Sequence, residues 1–153
     1  MASRRDTGQS AVYRSEDIVA AIIEDGGTVT LFGQVFDLPN GQRRFGRVED
    51  IERYLDALWE MSWVREFGVE RPRLRTRKGD RKAVYHSRDH TIAIPESDWA
   101  LTEMVVLHEV AHSLTKGDGH GPHFRRVYAF LTSRAMHPVM GMLLNYHFDQ
   151  DLG

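Results

Sequence analysis

The segment that most constrains the fold is residues 107–124, which reads LHEVAHSLTKGDGHGPHF and contains a His-Glu-x-x-His motif. On a helix, residues four positions apart lie on one face with Cβ atoms about 5 to 6 Å apart, so His108 and His112 can converge. Zn–N bonds of about 2.0 to 2.1 Å require such convergence. Glu109 lies about 100° further round the helix, where it can act as a general base. The motif therefore predicts a zinc site on a helix.

The surrounding segment, residues 98–114, predicts a helix that is apolar over most of its circumference, with Ser97 as its N-terminal cap. Such a helix is normally buried. Burying two histidines and a glutamate without partners is costly, so these side chains need hydrogen bonds or a metal ion. This context strengthens the prediction of one zinc ion per chain.

The third ligand is predicted less directly, because His120, His123 and Asp118 all follow within reach of the motif. His120 is favoured because a glycine-rich turn can bring it back over the helix and a new helix begins immediately after it. His123 could instead orient substrate or stabilise an oxyanion. Asp118 occupies the position of a carboxylate ligand in some zinc peptidases related to the astacin-like class, but Thr115 replaces their glycine.

The rest of the chain predicts an α+β fold in one domain, residues 13–153, after a disordered tail of residues 1–12. Helices are expected from Ser15, over residues 47–66, from Pro122 and after Pro138. One or two short strands are expected between residues 28 and 37. Three more, around residues 74–76, 83–85 and 91–94, predict an antiparallel meander or a mixed sheet packed on the motif helix. The last strand is expected at an edge, where an extended peptide could pair with it.

Composition excludes several classes of site and partner. The chain has 153 residues and no cysteine, which excludes disulfides, thiolate zinc ribbons and cysteine nucleophiles. A formal net charge of −2 gives no overall attraction to nucleic acid or anionic membrane. The sequence contains neither the apolar core of a secretory signal nor an apolar run of about 20 residues, so a cytoplasmic protein that does not contact membranes is expected.

Four arginines at alternate positions predict a basic stripe on one face of a strand: Arg71, Arg73, Arg75 and Arg77. Such a stripe could contact phosphates or an acidic partner. A solvated strand face is favoured instead, because no aromatic residues are interleaved for base stacking.

A resemblance to known proteins appears in the motif and the turn that follows it. The run His108-Glu109-x-x-His112, followed by Gly119-His120-Gly121-Pro122-x-Phe124, resembles the SprT and Spartan-like zinc metallopeptidases of the zincin superfamily. It resembles still more closely small actinobacterial and phage HExxH-motif metallohydrolases. The similarity covers roughly residues 71–131 and implies a zincin-like fold. In the SprT pattern the histidine of the His-Gly-Pro run is the third zinc ligand, which supports His120.

The resemblance also has limits in this chain. The position of His123 is commonly Glu in the family. No cysteine-based zinc ribbon and no visible partner-recruitment tail follow the motif, so a role in cleaving proteins crosslinked to DNA is not carried over.

The ligand set implies a zinc metallopeptidase that cleaves a protein or peptide substrate through a zinc-activated water, with Glu109 as general base. Oxyanion support is open among Tyr85, His86, His123 and Tyr128. The alternatives are a hydrolase or nuclease acting on a non-peptide substrate and a non-catalytic, zinc-stabilised module that binds DNA or protein. Glu109 favours acyl chemistry, because a ribosomal-RNA-processing family with three histidines lacks that glutamate.

Overall fold

A computed structural model of the chain describes residues 8–79 and 81–152, and it confirms the predicted α+β class. The helices in this part of the chain are α1 (Gln9–Asp25), α2 (Val48–Glu60), α3 (Ser62–Arg65), α4 (Glu103–Leu114), α5 (Pro122–Ala135) and α6 (Pro138–Leu152). The strands are β1 (Thr28–Leu31), β2 (Gln34–Asp37), β3 (Arg73–Arg77), β4 (Val84–His86) and β5 (Thr91–Pro95).

The chain divides into two compact units. The first comprises the described residues of Met1–Gln42 and Gly117–Gly153 and therefore contains α1, the β1–β2 hairpin, α5 and α6. The second, Arg43–Lys116, contains α2, α3, the β3–β5 sheet and α4.

In the first unit, α6 packs against both α1 and α5. The helices meet through fully buried apolar side chains, among them Val19, Ile23, Phe124, Leu131, Leu143 and Leu144. Burial of side chains of this size contributes roughly 1.5 to 3 kcal/mol each, so the three helices are held mainly by this shared core.

The first helix begins earlier than the sequence predicts. It starts at Gln9 rather than Ser15, and Val12 is fully buried. The expectation of a disordered tail is therefore wrong for residues 9–12, while residues 1–7 lie outside the described residues. The few apolar residues before Ser15 gave too short a periodic pattern to predict this first turn. Ser15, where the helix was expected to begin, is a buried residue within α1, and its hydroxyl donates to Asp151 on α6.

The second unit contains a mixed three-stranded sheet with β5 at its centre. β3 pairs with β5 in parallel, and β4 pairs with β5 antiparallel. The mixed sheet is confirmed, and the antiparallel meander is wrong. All five residues of β5 are buried, so residues 91–94 do not form an edge strand. Because β3 pairs along all of β5 and β4 pairs with Thr91, Ile92 and Ala93, both backbone edges of residues 91–93 are occupied and cannot pair with an extended peptide.

Two predicted helices are also shorter than expected. Met61 has an extended backbone conformation and divides the predicted helix 47–66 into α2 and α3. The predicted helix 98–114 begins only at Glu103, because Ser97 accepts backbone hydrogen bonds in a turn and Thr102 is the actual N-cap. The motif residues remain within α4.

Candidate metal centre

The motif histidines share one face of α4. The Nε2 atoms of His108 and His112 lie 3.1 Å apart, and the ring centroids lie 4.9 Å apart. Two ligands of a tetrahedral zinc ion with bonds of about 2.05 Å would lie about 3.3 to 3.4 Å apart. The spacing of the two nitrogens therefore fits two ligands of one ion. Glu109 follows His108 directly on the helix, and its side chain is buried.

The N-terminal end of α4 is fixed by its own cap and by a buried carboxylate. Thr102 Oγ1 accepts a hydrogen bond from the amide of Val105 at 3.4 Å. Glu103 Oε2 accepts a 2.6 Å hydrogen bond from the hydroxyl of Tyr54 on α2, and its Oε1 accepts from the amide of Arg43 at 3.4 Å. Burial, reinforced by the charge of Glu103, raises the pKa of Tyr54 above its ordinary value. These contacts hold the start of the helix one to two turns before His108.

Sequence reasoning missed the pairing of Tyr54 and Glu103. Tyr54 lies on the apolar stripe of an amphipathic helix, and Glu103 lies in the first turn of a helix that is otherwise largely apolar. Each position by itself is ordinary for a core tyrosine or a helix-start acid. The available signal was that both residues fall on helices with a buried face, where a polar side chain needs a hydrogen-bond partner.

A tight loop carries the third predicted histidine. The carbonyl oxygen of Asp118 accepts from the amide of Gly121 at 3.0 Å, and its Oδ2 accepts from the amide of Phe124 at 2.8 Å. α5 starts at Pro122, as the sequence predicts, since proline suits the first helical turn. His120 is buried within this loop. The loop therefore holds a buried imidazole just ahead of a helix.

The structure brings three of the predicted residues into one group. His108, His112 and His120 each offer a nitrogen atom, and these atoms all lie within 4.8 Å of one another. The relative exposures of His108, Glu109 and His120 are 2%, 4% and 6%, and His112 is half-buried. Three imidazoles within this distance could hold a metal ion. The donor set suits zinc, which is commonly bound by three histidines in catalytic sites.

The other two candidates for the third ligand occupy different positions. His123 is exposed in the first turn of α5. Asp118 is the turn residue described above, with one carboxylate oxygen already bonded to a backbone amide. Within residues 8–79 and 81–152, the group of nearby metal-binding side chains contains neither of them.

The tyrosines considered for oxyanion support have other hydrogen-bond partners. His90 Nε2 lies 2.6 Å from the carbonyl oxygen of Glu70, an acceptor only, so this nitrogen carries the proton. His90 Nδ1 then accepts from the hydroxyl of Tyr85 at 2.7 Å. Burial, with a smaller effect from Asp89, raises the pKa of Tyr85. Tyr128 is buried and donates to Glu16 Oε2 at 3.0 Å, while His86 is half-buried at the end of β4.

The arginine stripe is not uniform. Arg71 precedes β3 and forms ion pairs with Glu52 and with Asp56, whose Oδ1 lies 2.8 Å from Arg71 Nε. Arg77 donates to the carbonyl oxygen of Lys82 at 2.6 Å. Arg73 and Arg75 are exposed on β3. The stripe is therefore reduced to two exposed arginines, Arg73 and Arg75, flanked by two that have intramolecular partners.

In the described part of the chain, no helix combines the length and apolar character needed to cross a membrane. Comparison with protein-family models, with curated proteins and with solved structures finds no match to this chain. The function of the chain is therefore inferred from the residues of the site.

Proposed function

We propose that the chain is a zinc-dependent metallopeptidase of the zincin type, related to the SprT and Spartan-like enzymes that its motif resembles. The observation that carries this proposal is the group formed by His108, His112 and His120, with Glu109 adjacent on the same helix. One zinc ion would be held by the three imidazoles. The order of mixed sheet, motif helix, loop with the third histidine and following helix also supports a zincin-like fold.

A zinc ion bound there would supply Lewis-acid activation of a water molecule and of a substrate carbonyl group. The side chains of this chain supply the remaining functions. The three histidines would bind as neutral imidazoles, which leaves a position for water. Glu109 would take a proton from the attacking water and pass it to the leaving amine as the peptide C–N bond breaks.

The carboxylate of Glu109 distinguishes peptide hydrolysis from the alternatives. A protein that kept zinc only for stability would need the three histidines but no acid beside them. Glu109 is buried at 4% relative exposure directly after a candidate ligand, although an exposed position would be less costly for a carboxylate. This placement favours a catalytic role in acyl transfer, and it makes an extended peptide or unstructured protein the proposed substrate.

The proposal is tested with Glu109→Gln, which keeps the shape of the side chain but removes its basicity. We expect the variant to bind one zinc ion per chain and to lose about 100-fold or more of the peptidase activity on an unstructured protein, because general acid–base catalysis contributes about 10² to 10⁴ in rate. Glu96→Gln, at an exposed position before α4, is the matched control and should retain full activity.

The outcomes separate the alternatives. Full peptidase activity in the zinc-bound Glu109→Gln variant would exclude Glu109 as the base. Wild-type protein that binds zinc and gains thermal stability, yet cleaves neither protein nor RNA, would indicate a structural zinc module. Cleavage of RNA without cleavage of protein would indicate a nuclease.

A further inference from the structure

Asp118 closes the loop that contains His120. Its carbonyl oxygen accepts from the amide of Gly121, and its carboxylate accepts from the amide of Phe124, so one residue before the histidine is bonded to two residues after it. A Cβ atom on Gly121 would lie 2.7 Å from Asp118 Oδ1, so the close approach of the carboxylate requires glycine there.

The carbonyl group of His120 is held independently. Arg125 Nη1 donates to His120 O at 3.0 Å from the first turns of α5. A Cβ atom on Gly8, which precedes α1, would lie 2.9 Å from the same oxygen. The backbone of His120 is therefore enclosed between the starts of two helices.

Aromatic rings set the orientation of the imidazole. The ring of His120 lies 5.0 Å from that of Phe124, at 76°, and 5.6 Å from that of Tyr13, at 53°. Tilted and edge-to-face arrangements at these distances are favourable for aromatic rings. The side chain is thus oriented by contacts that need no metal ion.

We infer that Asp118 is a positioning residue for the metal centre, which holds His120 ready to bind through the backbone of its loop. Without the carboxylate, metal binding would first have to order the loop, and that ordering cost would lower affinity. Asp118 would act through His120, because it is not one of the three side chains that could hold the ion. This inference rests on the proposed zinc site but is independent of peptidase activity.

The test measures zinc affinity by competition with a chelating indicator dye, together with the thermal stability of the metal-free protein. Asp118→Ala should bind zinc about 10 to 100 times more weakly, which is the typical effect of losing a residue that orients a ligand. Asp118→Asn should stay within about threefold of wild type, because its amide oxygen can still accept from Phe124. Asp151→Ala is the control, because it removes a carboxylate that accepts from Ser15 in the same unit.

A double-mutant cycle shows whether the effect passes through His120. In a His120→Ala background, Asp118→Ala should cause no further loss of zinc affinity, whereas independent contributions would multiply. Three results would each overturn the inference. They are losses of zinc affinity that multiply in the double variant, equal losses in Asp118→Ala and Asp118→Asn, and wild-type zinc affinity in Asp118→Ala. Wild-type protein that binds no zinc would remove the proposed function itself, so the two failures are distinguishable.

Discussion

The hydroxyl group of Tyr54 on α2 donates a 2.6 Å hydrogen bond to Oε2 of Glu103, the first residue of α4. Both residues are buried. The bond joins the strongly amphipathic helix of the second unit to the helix that carries the candidate metal ligands. Since Glu103 also accepts from the amide of Arg43, its carboxylate fixes the start of α4 from two sides.

Tyr54→Phe should lower the free energy of unfolding at pH 7 by about 1.5 to 3 kcal/mol, the usual cost of losing a hydrogen bond to a charged group. The pKa of Tyr54 is raised in the folded chain, so its contribution is fully present below the unfolded value of 10.0 and is lost as pH rises above it. Urea unfolding from about pH 8 to 11 should therefore show that the difference in free energy of unfolding between wild type and Tyr54→Phe narrows above about pH 10.

Tyr146→Phe is the control for this prediction, because Tyr146 is partly exposed on α6. It should change stability by no more than about 0.5 kcal/mol. If the difference in free energy of unfolding between wild type and Tyr54→Phe stays constant up to about pH 11, the proposed link between stability and the ionisation of Tyr54 is contradicted.

Local patterns predicted the helices well because their signal is periodic within a single element. The stripe that includes Ile51, Leu55 and Leu58 predicted α2, and all three are buried. Helix ends were less predictable, since Ser97 and Thr102 are both good caps and the choice depends on tertiary contacts. The turn at Ser97 and the pairing of Arg44 with Thr102 favour the later start.

Strand order was not predictable from the short connections alone. The meander was expected because successive strands usually pair, whereas β3 pairs with β5 and not with β4. The signal for a central strand was present in residues 91–94, which read Thr-Ile-Ala-Ile without a polar alternation. Such a run indicates a strand buried on both faces.

The site was predictable where its residues are close in sequence. His108 and His112 follow from helical spacing, and His120 from the turn and the family resemblance. The contacts that hold these histidines and their helix in place were not predictable, because Tyr54 lies 49 residues from Glu103 and Tyr13 lies more than 100 residues from His120. Pairing at that separation is decided by packing.

Gly141→Ala should destabilise the chain by about 1 to 3 kcal/mol through overpacking. Gly141 lies on α6, and an added Cβ atom would clash with Ser133 Oγ on α5 and lie 2.8 Å from Ala129 O. Helix propensity alone predicts the opposite sign, because alanine is favoured over glycine by about 1 kcal/mol. A melting temperature higher for Gly141→Ala than for wild type would contradict this prediction, because it would show that α5 and α6 can move apart with no loss of stability.

Arg71→Ala should cost about 1 to 2 kcal/mol of stability, whereas Arg75→Ala should stay within about 0.5 kcal/mol. Arg71 donates to the carbonyl oxygens of Pro72 and Glu52 and forms ion pairs with the carboxylates of Glu52 and Asp56. The ion pair with Asp56 adds little to this cost, because the Asp56 side chain is 70% exposed and solvent screens the pair. Equal melting temperatures for the two variants would contradict this difference. DNA binding of each variant, measured at several salt concentrations, tests whether the remaining arginine stripe contacts phosphates.

Metal analysis of His120→Ala beside His123→Ala tests the third ligand. If His120 binds the ion, His120→Ala should retain less than one zinc per chain after dialysis against a weak chelator, because only two motif histidines remain. His123→Ala should retain one zinc, since His123 is exposed and lies outside the group of three histidines. The two variants remove the same side chain three residues apart, but only His120 is buried, so the metal-free melting temperature of each variant is measured to separate loss of a ligand from loss of folding. Zinc lost from His123→Ala but kept by His120→Ala would reassign the third ligand and would also remove the role inferred for Asp118.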